Sequence, residues 1–240
     1  MAINLKDKKV LITGSSDGLG RLLAIELAKL GANIIIHGKN EEKLSEVFEE
    51  VKNANREGDH ASIVCDLSKP EAIESAFGEI GQLDILINNA GVWLEGDFGA
   101  ATSQKMLELV NVNLASYILC LKTLIPILEK SEFGQVLNVI SVAGIEVPTD
   151  STYSVYCATK FGLQGFTEAL AKEYENKNIR VMGYYPGGMD TGIFEKAGRN
   201  YGRATWMFDP MESVEAIIFM LTRNPKVTIK RMDLLNYLQK

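Results

Sequence analysis

The chain has 240 residues, 46% of them hydrophobic and 23% charged, and its 25 basic and 31 acidic side chains leave a net charge of −6. These are globular values that exclude a disordered or collagen-like chain, and surface scaling allows roughly 72% of the unfolded surface to be buried, enough for one large core. The acidic balance, free of Lys and Arg runs, argues against a nucleic-acid surface, and the longest unbroken apolar run, Ala216 to Leu221, is far shorter than the roughly 20 residues that span a bilayer.

Short apolar runs alternate with longer helical patterns from end to end. Lys9 to Thr13 reads as a strand, and Gly18 to Leu30 follows with apolar residues at helical spacing. Asn33 to His37 is a second strand, Glu41 to Asn53 a helix and Ser62 to Cys65 a third strand. Ser68-Lys-Pro-Glu71 reads as a helix start in which Ser and Glu satisfy each other's orphan amides. Leu83 to Ile87 is the fourth strand, and a long helix runs from Ser103 to Lys130, with Pro126 bending it near its end. Gln135 to Ile140, a helix from Ser154 to Asn176, and Ile179 to Tyr184 continue the alternation. Asp209-Pro-Met-Glu212 is a second capping-box start, and Lys226 to Met232 the last strand. Near-continuously apolar strands between helices predict one α/β domain over residues 1–240. Its mostly parallel sheet of about seven strands would be doubly wound, with helices on both faces.

In such sheets ligands lie at the carboxyl ends of the strands. Thr13-Gly-Ser-Ser-Asp-Gly-Leu-Gly20 stands there, between the first strand and the first helix. Gly14 suits the tight turn, Gly18 lets backbone approach a phosphate, and Gly20 permits close helix–strand packing, while the helix N-terminus offers amides to a pyrophosphate. The spacing is G-x-x-x-G-x-G, not the generic dinucleotide fingerprint. Asp66-Leu67 follows the third strand, Asn88-Asn-Ala-Gly91 the fourth, and Ser141 the fifth. Asn113 lies in the long helix, Tyr156-x-x-x-Lys160 in the next, and Pro186-Gly187 with Thr191 follows the sixth strand.

In this order the set resembles the single-domain, classical form of the short-chain dehydrogenase/reductase family, over nearly the whole chain. The resemblance implies a Rossmann-type fold and an enzyme that interconverts a carbonyl and an alcohol by hydride transfer with a nicotinamide cofactor. It implies cofactor contacts from Gly14, Ser16, Asp17, Gly18, Leu19 and Gly20, from Asp66 and Leu67, from Asn89, Ala90 and Gly91, and from Pro186, Gly187, Met189 and Thr191. Tyr156 would pass a proton to or from the substrate oxygen, and Lys160 would lower its pKa and hold the nicotinamide ribose. Ser141 would bind the substrate oxygen, and Asn113 would anchor a water in a proton relay. The family places a substrate lid after the sixth strand, here about residues 188–211. It also forms dimers and tetramers through the long helix and the Tyr-bearing helix, so a homodimer or homotetramer is expected.

Tyr156 and Lys160, four apart, share one helix face. Bringing a phenol from a pKa of about 10 to about 7 takes roughly 4 kcal/mol, and an ammonium about 5 Å away supplies roughly 3 kcal/mol at an effective dielectric of about 20. Tyr153 is no substitute, because Cys157 stands four residues later. For the cofactor, an acid at the end of the second strand grips the ribose hydroxyl of NAD, and a basic residue suits the phosphate of NADP. His37-Gly-Lys-Asn40 puts Gly38 at the acidic position and Lys39 after it. NADP(H) is therefore favoured and NAD(H) is the alternative, since Asp17 stands where many NADP-binding members carry a base.

The lid segment carries Met189, Ile193, Phe194, Trp206, Met207 and Phe208, with Gly192, Gly198 and Gly202 as hinges. Trp93, Leu94, Ile145 and Val147 are candidates to face it, a wall suited to an apolar or medium-sized carbonyl compound. An acyl-carrier-protein ketoreductase is an alternative, for which Arg199 and Arg203 are the basic residues near the mouth; a non-enzymatic NADP-binding sensor or scaffold is another. The three cysteines, Cys65, Cys120 and Cys157, are odd in number and far apart, which speaks against disulfides or a metal site. Lys6, Lys8 and Lys9 precede an apolar stretch too short for a signal peptide, so a cytoplasmic protein is expected.

Overall fold

Val10 and Ile12 face one side of the first strand and Leu11 the other, and all three are fully buried. A strand apolar on both sides is stable only where both faces of its sheet are covered. The structure, a computed structural model, describes residues 3–149, 152–202 and 204–237. Its strands are β1 (Lys9–Ile12), β2 (Asn33–Gly38), β3 (Ala61–Val64), β4 (Ile85–Asn88), β5 (Gly134–Val139), β6 (Ile179–Pro186) and β7 (Arg231–Leu234). All pair in parallel, in the order β3-β2-β1-β4-β5-β6-β7. Between β1 and β4 the order reverses, which opens a crevice at the strands' carboxyl ends.

The helices are α1 (Gly18–Lys29), α2 (Glu41–Ala54), α3 (Pro70–Phe77), α4 (Ser103–Val110), α5 (Ser116–Leu128), α6 (Ser154–Glu173), α7 (Ile193–Lys196) and α8 (Pro210–Leu221). Leu23 and Leu27 of α1, Leu44 and Val47 of α2 and Ile217 and Leu221 of α8 bury one face of the sheet. Phe77 of α3, Leu121 and Leu124 of α5 and Leu170 of α6 bury the other. Each such side chain contributes about 1.5–3 kcal/mol on leaving water.

Local structure departs from the sequence pattern at four places. Ser68 does not cap α3: Pro70 takes the first helical position, Lys69 precedes it without a side-chain cap, and the Ser68 hydroxyl donates to Asp66 at 2.8 Å. The last strand is shorter and later than expected, because Val227 folds back on Asn224 and pairing with β6 begins only at Arg231. The long helix is interrupted at Asn111–Ala115 by one π turn, in which Ser116 N–H bonds Asn111 O, and it continues through Pro126 to Leu128. The segment Ser103–Leu128 is long and apolar enough to cross a membrane by length and composition, which the unbroken-run criterion did not register. Its Tyr117, Cys120, Leu121, Leu124 and Leu128 nevertheless pack into the core. Lastly, a short helix, α7, forms within the lid segment.

Candidate active site

The β1–α1 turn is held by residues distant in sequence. Gly14 has φ +64° and lies so close to Ala90 that a Cβ would meet its Cα at 2.7 Å. Gly14 N–H donates to His37 Nδ1 at 3.1 Å, and His37 Nε2 bonds Cys65 O at 3.1 Å. Burial pushes the His37 pKa down to about 4, so the ring is neutral and its two bonds fix the tautomer. Asn89 Nδ2 donates to Thr13 O and Gly14 O, and a Cβ on Gly20 would meet that same Nδ2 at 2.6 Å. Gly20 is therefore a packing glycine, as its place at the helix start predicts, and Asn89 acts first as a clamp on the turn. The part played by His37 was not legible, since nothing in a strand-end histidine announces a bond to a turn 23 residues earlier.

Asp17 caps α1 by accepting from Gly18 N at 2.7 Å, and its other oxygen pairs with Lys196 Nζ of the lid at 2.8 Å. Burial raises its pKa, but the Lys196 bond and the Gly18 amide outweigh that, and the group ends below its ordinary value. At the end of β2, a Cβ on Gly38 would sit 3.0 Å from Ser16 Oγ, so Ser16 fills the space an acidic side chain would need. Lys39 follows, exposed, near Asp66. Burial raises Asp66 as well, but hydrogen bonds from Ser68 and the charge of Lys39 bring it below the usual value.

Gly14, Ser16, Asp17, Gly18, Leu19, Lys39, Asp66, Asn89 and Ala90 line one cavity of about 880 Å³, together with Leu67, Gly91, Ser141, Tyr156, Lys160, Pro186, Gly187, Met189 and Thr191, whereas Gly20 lies behind the turn and lines none of it. Gly144 lets the turn after Ser141 lie on α6, where a Cβ would meet Lys160 O at 2.7 Å. Ser141 Oγ accepts from Ala143 N at 3.1 Å and lies near enough to the Tyr156 phenol to pull its pKa down, so the loop between them does not separate the pair. Lys160 is 4% exposed; its Nζ donates to Val139 O at 3.2 Å and lies 5.7 Å from the Tyr156 ring centroid. Asn113, in the π turn, lines no part of the cavity: its amide bonds Val92 N–H and C=O at 2.8 and 2.9 Å.

In the cofactor-free chain, burial opposes the effect expected from spacing. Burial pushes the Tyr156 phenol up to about 12, with the Ser141 bond pulling the other way, and burial pushes Lys160 down to about 7. Desolvation disfavours both charged forms, and at these two buried groups it is the largest effect.

In the lid segment, Ile193, Phe194 and Trp206 line the cavity, with Trp93 and Leu94 opposite. Ile145 instead packs beside Tyr117 and Leu163, Val147 is exposed to solvent, and Phe208 bridges Met189 outside the cavity lining, which also omits Met207. Gly198 and Gly202 take left-handed backbone, whereas Gly192 caps α7 at φ −69°. Arg199 is bound to Glu95, through Nη2 to the carbonyl at 3.2 Å; Arg203 lies outside the described residues. Among the described residues no group of three or more His, Cys, Asp or Glu side chains could hold a metal, and the three cysteines are free and buried.

The short chain dehydrogenase profile matches residues 8–202. An uncharacterized oxidoreductase of Staphylococcus saprophyticus is 28% identical over 96% of this chain and 97% of its own. A 3-oxoacyl-[acyl-carrier-protein] reductase of Aquifex aeolicus is 36% identical over 80% of this chain and 78% of its own. Among solved structures, a metagenomic short-chain oxidoreductase in complex with NADP superposes with a TM-score of 0.80 at 27% identity, covering 96% of this chain and 97% of that one. With the glycine turn, Ser141, Tyr156 and Lys160 converging on one cavity, the chain belongs to the short-chain dehydrogenase family and is an oxidoreductase acting on CH–OH or carbonyl groups.

Proposed function

We propose that this oxidoreductase uses NADP(H) to interconvert a small-molecule carbonyl compound and its alcohol, with Tyr156 as the proton donor or acceptor. The observation that carries the reading is the convergence of Ser141, Tyr156 and the buried Lys160, whose Nζ is 5.7 Å from the Tyr156 ring centroid, on the cavity that begins at the glycine turn. The donor set fits a phosphorylated dinucleotide: a glycine turn opening on a helix N-terminus, Lys39 with no acid at position 38, and a buried lysine near the phenol. Asp17, the residue that spoke for NAD(H), has one oxygen on the Gly18 amide and the other paired with Lys196, which offsets part of its charge. Lys39 would pair with that phosphate, Asp66 and Leu67 would border the adenine, and Lys160 would hold the nicotinamide ribose.

When bound, the nicotinamide supplies a hydride to the carbonyl carbon or takes one back. Ser141 and Tyr156 orient the substrate oxygen, and Tyr156 gives it the proton that completes the alcohol. A phenol held near 12 stays protonated at neutral pH, so the site stands ready for reduction. Lys160, near 7, can take a proton from solvent and replenish the phenol. Asn113 fixes the chain leaving β4 through Val92, which leaves its backbone for anchoring a water.

The resemblance to the Aquifex aeolicus enzyme favours one alternative, a 3-oxoacyl-acyl-carrier-protein reductase. Against it, Arg199 already contacts Glu95 through both its carboxylate and its carbonyl. We take the enzyme to be cytoplasmic and without nucleic-acid or membrane partners. We also take it to be a homodimer or homotetramer paired through the long helix and α6, where Leu107, Ile118 and Phe161 stand exposed. Replacing Tyr156 by Phe tests the mechanism: NADPH titration should be nearly unchanged while carbonyl reduction is lost. Full turnover by Tyr156→Phe would reject the role of the phenol, and tighter binding of NADH than NADPH by the wild type would reject the cofactor assignment.

A further inference from the structure

The substrate end of the cavity is built from aromatic rings in continuous contact. The Trp93 indole lies against the proton-donating phenol, with its centroid 4.4 Å from that of Tyr156 and 4.7 Å from that of Tyr153. From the lid, Phe194 meets Trp93 edge-on at 5.1 Å and Trp206 at 5.6 Å. Tyr201 completes the cluster, 5.4 Å from Phe194 and 5.6 Å from Trp206. Trp206 is seated directly on Gly188, where a Cβ would come within 2.1 Å of the indole. The rings thus run from the segment just after Pro186-Gly187 to Tyr156.

One carboxylate joins these walls. Glu95, with a side chain only 16% exposed, accepts from Trp93 Nε1 at 3.1 Å, from the Tyr201 hydroxyl at 2.5 Å and from Thr152 Oγ1 at 3.5 Å. It also pairs with Arg199 Nε at 3.8 Å. The chain leaving β4, the loop before α6 and the lid therefore meet on a single side chain. With its oxygens engaged, Glu95 acts on the shape of the cleft, not as a ligand for substrate. The lid's two described cations each contact a carboxylate, Arg199 that of Glu95 at 3.8 Å and Lys196 that of Asp17 at 2.8 Å.

We propose that the substrate is an uncharged carbonyl compound, or its alcohol, whose bulk is a rigid apolar ring system. Its rings exchange the edge-to-face contacts of Phe194 and Trp206 for contacts with its own faces, and Glu95 is the positioning residue that sets this preference. This rests on the carbonyl-reductase reading above. Aromatic walls reward a ring held at stacking or edge distance, and a rigid ring loses little conformational freedom on binding, whereas a flexible chain loses much. A carboxylate or phosphate on the substrate would meet the charge of Glu95 in the aromatic cleft, whereas an uncharged ring system does not.

Both tryptophans of the chain, Trp93 and Trp206, lie in this cleft, so intrinsic fluorescence reports its occupancy. The full chain, saturated with NADP, would be titrated with the fused-ring ketone decalone and with straight-chain decanone. Each would then be assayed for NADPH oxidation, beside the acetoacetyl thioester of N-acetylcysteamine. Decalone should bind and turn over at least about tenfold better than either linear compound. Glu95→Gln should reduce that ratio to near unity while retaining turnover of the linear ketone, which a merely unfolded variant would not do. Trp206→Leu provides a second variant, which should weaken decalone binding by more than decanone binding, read from the remaining Trp93 fluorescence. A wild-type preference for decanone or the thioester, or equal binding of all three, overturns the proposal; an unchanged ratio in Glu95→Gln overturns the part assigned to Glu95. If decalone binds preferentially but is not reduced, the catalytic reading fails and the cleft assignment stands.

Discussion

Replacing Lys160 by Met should stabilise the cofactor-free protein while abolishing its activity, and the gain should depend on pH in a defined way. Burial lowers the Lys160 pKa from 10.5 to about 7. Between those values the unfolded chain binds a proton that the folded chain does not, so folding stability rises with pH across that window. Below about pH 7 both states are protonated and the penalty is complete, about 4–5 kcal/mol as an upper bound. The Val139 carbonyl returns part of that, and Met, similar in length, adds apolar burial without a charge. A net gain of about 2–3 kcal/mol is expected near pH 6, shrinking to under about 1 kcal/mol near pH 10. Urea unfolding of the two proteins at both pH values measures it, and comparing variant with wild type cancels the other titrating groups. A gap of the same size at pH 6 and pH 10, or a destabilised variant at pH 6, would refute an ammonium held out of water.

Lys39→Glu should weaken NADPH binding by at least about tenfold and leave NADH nearly unaffected, since it sets a like charge beside the ribose phosphate; equal losses for both cofactors, by titration, would remove Lys39 from the phosphate site. The wild type should lose about 3 kcal/mol of stability as pH falls from 6.5 towards 4, the range in which His37 protonates in the unfolded but not the folded chain; His37→Asn should lack that component in acid unfolding curves. Lys196→Ala should alter folding stability by less than about 1 kcal/mol, because its pair with Asp17 is 59% and 43% exposed, yet should speed cofactor release in stopped-flow displacement. An unchanged release rate would show that the pair does not hold the lid down.

The parts of the site legible in the sequence are those whose geometry is local. Tyr156 and Lys160 share a face because a helix repeats every 3.6 residues, and Gly14, Gly18 and Gly20 belong to one strand–helix turn. Parallel strands were legible because both of their faces are apolar, and this set the order in which site residues reach one edge of the sheet. What spacing does not carry is burial: it puts an ammonium near a phenol but cannot weigh the desolvation that pushes the Tyr156 phenol up and Lys160 down in the cofactor-free chain. Competition between neighbours is equally hidden. Ser68 had the right spacing for a cap, but Asp66 is nearer and Pro70 fixes the helix start two residues later. Glu95 lay beyond reach altogether, because its partners Thr152, Arg199 and Tyr201 come from segments 57 to 106 residues away.

The lid is fastened at two points of unequal strength, and this has a consequence for turnover. At the cofactor side, Asp17–Lys196 is a solvent-screened pair, which water and salt can replace at little cost. On the substrate side, Glu95 is itself mostly shielded and accepts several hydrogen bonds, so breaking them strands a carboxylate. Opening should therefore begin where Lys196 crosses the glycine turn and pivot about the left-handed Gly198 and Gly202, while the aromatic wall beside Tyr156 stays in place. A cofactor can then exchange without dismantling the cleft that recognises the substrate, which keeps the proton donor and its Trp93 wall preorganised between turnovers.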